Sequence, residues 1–215
     1  MIYLGLVAAV IIAYLLGSIN FAVIFANAFL KKDVRELGSG IAGTTNVMRT
    51  AGFLPGALTF ICDSLKGFAA CFIGKAIFMY ILPDTIPWIY ACYMCGVACM
   101  LGHVFPIFFG FKGGKGVATS VGIFAVCCPI AIVIGLTVFA LMTLITKIVS
   151  LSSLIATVTV ISLSIVFYNS DANIILPALL SITMGVIVFL KHKDNIKRLV
   201  KGEEKKIKVS KADKS

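Results

Sequence analysis

Residues 117–146 read Val-Ala-Thr-Ser-Val-Gly-Ile-Phe-Ala-Val-Cys-Cys-Pro-Ile-Ala-Ile-Val-Ile-Gly-Leu-Thr-Val-Phe-Ala-Leu-Met-Thr-Leu-Ile-Thr, with no charged residue and one interruption at Cys128-Pro129. A membrane-crossing helix needs about 20 mostly apolar residues, so this stretch is either one long crossing or two short ones. Its neighbours decide between them. Apolar runs of crossing length recur at 2–30, 53–82, 86–110, 151–168 and 173–190. Hydrophobic residues make up 60% of the 215 and charged residues 13%, so water is not the solvent for most of the chain. The fold class this implies is all-α and polytopic in a membrane.

The N-terminal run is too long for the apolar part of a signal peptide and has no basic residue before it, which predicts a retained first span. Lys31 and Lys32 follow it, and the positive-inside rule then places the N-terminus outside and residue 31 in the cytoplasm. Counting onward, the span from 53 ends outside at Leu82-Pro83-Asp84-Thr85 and the next ends inside at 111–116. A single crossing over 117–146 would leave the tail outside. That tail, from Lys191 to Ser215, carries the densest basic cluster in the chain and belongs inside. A break at Cys128-Pro129 resolves the conflict, because an interior proline ends or kinks a helix. The expectation is seven transmembrane helices, some short, N-terminus out and C-terminus in. Lys147 then lies inside, and Asp84 and Asp171 lie outside. Residues 1–192 form a single transmembrane domain, and 193–215 a basic cytoplasmic tail.

The net charge of +10 sits in juxtamembrane loops and in this tail, which points to anionic lipid headgroups as partners and not to nucleic acid. The seven cysteines all fall within apolar runs and read as small buried residues. Cys92, Cys95 and Cys99 share a helix face but lack a fourth ligand, so no metal is expected.

On this topology every polar, glycine-punctuated segment faces the cytoplasm. The first is Arg35-Glu36-Leu37-Gly38-Ser39-Gly40-Ile41-Ala42-Gly43-Thr44-Thr45-Asn46-Val47-Met48-Arg49. Gly38, Gly40 and Gly43 permit positive φ and close backbone approach, so successive N–H groups can form an anion-binding nest. Ser39, Thr45 and Asn46 add neutral donors, and Arg49 adds a guanidinium able to grip phosphate through two bonds. The competing reading is a re-entrant loop that satisfies its own backbone, although such a loop does not require the Arg.

The second segment is Gly102-His103-Val104-Phe105-Pro106 with Phe111-Lys112-Gly113-Gly114-Lys115-Gly116-Val117-Ala118-Thr119. Two ammonium groups and flexible backbone donors before an apolar helix suit a phosphate at a helix N-terminus. The spacing is not that of a nucleotide P-loop, and a plain basic turn against lipid headgroups is the alternative. The third is Lys191-His192-Lys193-Asp194-Asn195-Ile196-Lys197-Arg198-Leu199 with Gly202-Glu203-Glu204; His192 and Asn195 share one helical face, or the histidine is incidental to a basic tail. Asp63 and Lys66, at i and i+3 inside the second span, are each other's default partner as a structural ion pair or part of a site. Lys75 has no local partner and reads as snorkelling.

Taken together, these segments resemble the bacterial integral-membrane glycerol-3-phosphate acyltransferases that use acyl phosphate as donor. The family pattern is met at Gly38, Ser39, Gly40, Gly43, Thr44, Thr45, Asn46 and Arg49, at Asp63, Lys66 and Gly67, at 102–106 and 111–119, and at 191–199 and 202–204. Ile41 stands where the family usually has Asn. The resemblance implies acyl transfer from acyl phosphate to the 1-hydroxyl of glycerol 3-phosphate, giving lysophosphatidic acid and inorganic phosphate, in a bacterial cell membrane and without a cofactor. It implies catalytic roles for Ser39, Arg49, His192 and Asn195. It implies substrate contacts at Gly40, Gly43, Thr45, Asn46, Lys66, His103, Lys112, Gly113, Gly114, Lys115 and Gly116, and a structural role for Glu204. Acyl phosphate carries a good leaving group, so positioning and charge stabilisation should dominate. A covalent acyl-Ser39 is not required, and His192, His103 and the leaving phosphate all stand as the base. The rival function is a secondary transporter for a phosphorylated small molecule; its site would lie near the midplane, whereas these motifs gather toward one face.

Overall fold

The computed structural model describes residues 2–81, 88–168 and 175–207, all of it helix and connection. Helix α1 (Ile2–Gly17) gives way at Ser18-Ile19-Asn20 to α2 (Phe21–Leu30); a 3-10 turn at Val34–Glu36 leads through the first glycine-rich loop into α3 (Thr44–Ala51). The long α4 (Phe53–Ile81) and α5 (Trp88–Val104) follow, then a 3-10 turn at Ile107–Phe109 and α6 (Val117–Cys127). The rest is α7 (Pro129–Thr146), α8 (Val149–Tyr168), α9 (Ile175–Lys191) and α10 (Lys193–Val200).

Small residues set the packing. Cβ atoms placed at Gly17 and Gly102 would strike the carbonyls of Cys99 and Tyr14, and at Gly67 and Gly122 those of Thr119 and Ser64. These glycines let α1 lie against α5 and α4 against α6 at backbone distance, as lipid-embedded helices commonly do. Around them Cys71, Cys92, Tyr93, Met100, Ile123, Phe124 and Cys127 form a buried core. Six of the seven cysteines are buried, four in this core and Cys95 and Cys99 in a neighbouring cluster, in keeping with the small-residue reading, and Cys62 is half-buried. Large apolar side chains such as Leu4, Ile11, Ile61, Val133, Leu144, Val166 and Leu179 point outward, as a lipid-facing surface requires.

The helical break expected at Cys128-Pro129 is present: Cys128 leaves helical geometry and Pro129 opens α7, where its missing N–H is not needed. Among the described residues five helical stretches are long and apolar enough to cross a membrane, and a sixth is added if α9 and α10, bent by 61°, count together. At 11 residues, α6 rises only about 16 Å, which is short of a crossing. The chain is thus an all-α multi-pass membrane protein with five to six candidate spans by length. Asp84, Asp171 and Ser210, which would mark the two faces, lie outside the described residues.

All three polar motifs gather at one end of the bundle. The C-terminus of α5 meets that of α9, where Lys191 Nζ lies 4.2 Å from the centre of the Phe105 ring. The α7–α8 junction joins them, with Ile207 N–H donating to Lys147 O at 2.8 Å.

Candidate active site

The first loop is built around Asn46. Its buried amide nitrogen donates to Val34 O, Leu37 O and Ile41 O at 2.9–3.1 Å, and its Oδ1 accepts from Ser39 N–H at 2.9 Å. Gly38 and Gly40 hold φ of 62° and 71°, so the loop folds back over this hub in a conformation that favours glycine. Asn46, expected as a substrate donor, here spends its amide hydrogens on the loop's own carbonyls and holds the loop together. Only the carbonyl of Ile41 takes part, which explains why the loop closes without the family's Asn there. Ser39 is exposed and its Oγ makes no hydrogen bond within the described residues. Gly43 precedes α3 in extended backbone with no side-chain cap, leaving the first N–H groups of that helix without acceptors. A Cβ at Gly43 would meet nothing within 4 Å. Neither packing nor backbone conformation demands glycine there, whereas close approach of a ligand would.

The second loop rests on α5. Gly114 N–H donates to His103 O at 3.1 Å, and a Cβ at Gly114 would collide with the His103 ring and with Ala42 O of the first loop. Gly113 is equally pressed against His103 O. Gly116, at φ 86°, turns the chain into α6. Beneath lies a buried cluster in which Lys66 Nζ is 2.7 Å from Asp63 Oδ1 and donates to Ile19 O at 2.7 Å, while His103 Nδ1 is 3.4 Å from the same carboxylate oxygen. Lys66 and His103, expected as substrate contacts, both meet Asp63 beneath the second loop, and Lys66 also reaches the α1–α2 junction at Ile19. Lys112 and Lys115 diverge: the first is exposed, and the second turns inward.

Lys115 meets the third motif there. Its Nζ donates a short hydrogen bond to Asn195 Oδ1. Asn195 Nδ2 in turn donates to Glu204 Oε1 at 2.7 Å, which also accepts from Ser150 Oγ at 3.0 Å, and Arg198 Nε donates to Glu204 Oε2 at 2.7 Å. Burial opposes the Glu204 charge, but the bonds from Arg198, Asn195 and Ser150 outweigh it and hold the carboxyl below its usual range. Glu204 thus joins Asn195, Arg198 and Ser150 in one network. His192, in the bend between α9 and α10, is buried with Nδ1 2.8 Å from Val188 O. A carbonyl only accepts, so Nδ1 carries the proton and Nε2 keeps a lone pair. Burial, reinforced by the Lys115 charge, pushes its pKa down to about 4. The imidazole is therefore neutral at physiological pH.

Burial likewise lowers the Lys115 ammonium to about 8; the Glu204 carboxylate counters that drop, and Arg198 and Arg49 add to it. Arg49, exposed at the last turn of α3, reaches the same cluster with one long bond, Nη2 to Lys205 O at 3.5 Å. Among the described residues its guanidinium makes no other hydrogen bond or ion pair. Arg49 and Lys115 thus lie close enough for their charges to oppose one another, Lys115 rests on Asn195, and His192 feels the Lys115 charge. The first loop meets the second where Ala42 O abuts Gly114. Ser150 and Arg198 were not foreseen as site residues. Arg198 lay inside the third motif, but Ser150 is one of several serines in an apolar helix and only the fold singles it out.

Residues 7–202 match the model of the glycerol-3-phosphate acyltransferase family. Glycerol-3-phosphate acyltransferase 2 of Bacillus anthracis is 42% identical over 201 residues, covering 94% of this chain and 98% of its own length. The glycerol-3-phosphate acyltransferase of Francisella tularensis subsp. novicida is 43% identical over 198 residues, covering 92% and 90%. Among solved structures, PlsY (YgiH), described as an integral membrane glycerol 3-phosphate acyltransferase, is similar in its glycerol 3-phosphate form with a TM-score of 0.81 at 34% identity over 94% of this chain and 96% of that one. Its lysophosphatidic acid form gives 0.78. With the loop around Asn46, the Lys115–Asn195 contact and all of α10 inside the matched span, the chain belongs to the glycerol-3-phosphate acyltransferase family.

Proposed function

We propose that this enzyme moves a fatty acyl group from acyl phosphate to the 1-hydroxyl of glycerol 3-phosphate, releasing inorganic phosphate and lysophosphatidic acid. The observation that carries the reading is the convergence of Arg49, Lys115, Asn195 and His192 with the open backbone at Gly43. Two phosphate-bearing substrates need two cationic contacts beside one acceptor for a hydroxyl proton, and this cluster offers both. That PlsY is described in glycerol 3-phosphate and lysophosphatidic acid forms supports the acceptor and product.

In this reading Ser39, Gly40, Gly43, Thr45 and Arg49 hold the acyl phosphate, and Lys112, Gly113, Gly114, Lys115 and Gly116 receive glycerol 3-phosphate. The substrate hydroxyl donates to His192 Nε2 and attacks the acyl carbon. The C–O bond to phosphate breaks, and Arg49 balances the charge left on the departing group. An imidazole with a pKa near 4 orients a hydroxyl well but removes its proton poorly. Phosphate oxygens, whose second ionisation lies at about pH 6, are the stronger base and take the proton.

The same reading keeps seven membrane segments, α6 and α7 forming a short pair, with the N-terminus out, the C-terminus in and the site in the cytoplasm. Residues 1–192 are the transmembrane acyltransferase domain and 193–215 its basic tail, whose first part closes the site through Asn195 and Glu204. Purified protein given acyl phosphate and radiolabelled glycerol 3-phosphate should make lysophosphatidic acid, and acyl-CoA in place of acyl phosphate should not. Product from acyl-CoA at a comparable rate would overturn the donor assignment. In a cysteine-free background, external labelling of Ser210→Cys would overturn the topology.

A further inference from the structure

The connection from α5 to the second glycine loop, Phe105-Pro-Ile-Phe-Phe-Gly-Phe111, is an irregular segment that exposes large apolar side chains. Phe105 is 43% exposed, Ile107 47%, Phe108 62% and Phe111 56%. In water such a cluster is unfavourable and calls for a partner.

Two features identify that partner. The first is depth. Tyr14 Oη donates to Phe105 O at 2.8 Å, and Ser18 Oγ accepts from Ile107 N–H at 3.4 Å. Both lie well inside the apolar stretch Leu4–Leu30, the later of them followed by Asn20 and all of α2 before the basic flank at Lys31 and Lys32. The 10-residue α2 stands between the loop's attachment point and that flank.

The second is backbone satisfaction. Arg35 Nη1 donates to Phe109 O at 2.7 Å, and Phe109 and Phe111 N–H both donate to Pro106 O. With Phe105 N–H donating to Leu101 O, seven backbone groups of this seven-residue segment have protein partners, three of them side chains on other elements. Irregular backbone is tolerated in lipid only when so satisfied, and an aqueous loop has no need of it. Lys112 follows immediately, and Lys191 Nζ sits over the Phe105 ring, which gives the apolar cluster a basic border suited to anionic headgroups.

We propose that residues 105–111 form a wedge embedded in the bilayer leaflet nearest the active site. Ile107, Phe108 and Phe111 contact phospholipid acyl chains, and Lys112 and Lys191 lie at headgroup level. The wedge leads directly into Lys112–Gly116, so it fixes the height of the second glycine loop against the lipid surface. Trp88 is the chain's one tryptophan, so a Trp88→Phe background allows single reporters Phe108→Trp and, independently, Ile107→Trp, both at outward-facing positions with room for the larger ring.

In the full-length protein reconstituted in bilayers, both reporters should emit at blue-shifted wavelengths. Lipids brominated on their acyl chains should quench them severalfold more than iodide does. Iodide quenching comparable to that of a water-exposed tryptophan, with bromolipids ineffective, would overturn the proposal and leave the patch to a soluble protein partner. Retained acyl transfer in both variants certifies the fold, and quenching can still be read against a Leu144→Trp lipid-facing control if activity falls.

Discussion

Replacing Asn195 with aspartate separates hydrogen bonding from charge at the centre of the network. The new side chain is nearly isosteric, and one oxygen still accepts from Lys115. The atom that donated to Glu204 Oε1 at 2.7 Å becomes a carboxylate oxygen. Two unit charges at that separation repel by about 6 kcal/mol at an effective dielectric of about 20, equal to roughly four pH units in proton affinity. The pair then titrates as a unit and takes up one proton above the ordinary carboxylate range. With that proton in place, an O–H donates to Glu204 as the amide did, and Lys115 keeps its anchor. Without it, one carboxylate moves away and Lys115 is released. Lys115 and Arg198 favour the charged forms and oppose part of the rise, so the midpoint falls between about 4 and about 8. Measured as a ratio to the parent enzyme at each pH, which cancels substrate ionisation, kcat/KM should be highest in acid and at least about tenfold lower by pH 9, while Asn195→Ala stays low throughout. A folded Asn195→Asp with a flat ratio from about pH 5 to 9 would show that the Lys115–Asn195–Glu204 contacts do not govern the reaction.

Further outcomes follow from the same geometry. Lys115 must be protonated to hold phosphate, so kcat/KM for glycerol 3-phosphate in the parent should fall as pH rises through about 8, and Lys115→Arg should move that limb beyond the measurable range while lowering the rate. Arg49→Lys should lose on the order of a hundredfold in kcat/KM with no change in melting temperature, because the side chain is exposed and its one protein contact is long; near-normal activity would remove Arg49 from the reacting centre. Gly114→Ala should destabilise the fold by about 1–3 kcal/mol, seen as a lower melting temperature, since its methyl has no room beside His103 and Ala42. Gly43→Ala should leave the melting temperature alone and raise a substrate KM; unchanged kinetics in that variant would mean no ligand approaches the backbone there.

The membrane class and the gathering of polar motifs at one end were legible because hydropathy and glycine punctuation act locally. So was the break at Cys128-Pro129, since proline's missing donor acts on its own helix. The length of α6 was less so: 117–146 divides unevenly, and apolar pattern alone does not reveal that the first piece is 11 residues. The site was legible as residue types but not as roles. Asn46, Lys66 and His103 carry the same donors in the sequence as Ser39, Lys115 and His192. Only tertiary contact shows that Asn46 is spent on loop carbonyls, that Lys66 is bonded to Asp63 and Ile19 O, and that His103 meets Asp63 through Nδ1 while its main-chain carbonyl accepts from Gly114 N–H. Ser150 was invisible for the same reason, since its partner is 54 residues away.

That division between occupied and available donors is itself a condition of the chemistry. Anionic substrates need cations and N–H groups already in place, yet unpartnered donors in a poorly hydrated site are costly and tend to collapse onto the nearest acceptor. The fold meets both demands by placing each available group beside a fully satisfied one. Ser39 hangs from the Asn46 hub through its backbone N–H, so its hydroxyl stays free. The second loop is bolted to His103, which Asp63 holds in turn, so Lys112 and Lys115 project from a fixed base. His192 gives its proton to Val188 O and keeps its lone pair open. Lys115 is the exception, resting on Asn195 in a bond that an arriving phosphate can replace, with Glu204 keeping Asn195 in position afterwards. The intramembrane Asp63–Lys66 pair adds rigidity beneath the site, because Lys66, nearly inaccessible, is bonded both to Asp63 on its own helix and to Ile19 O at the α1–α2 junction.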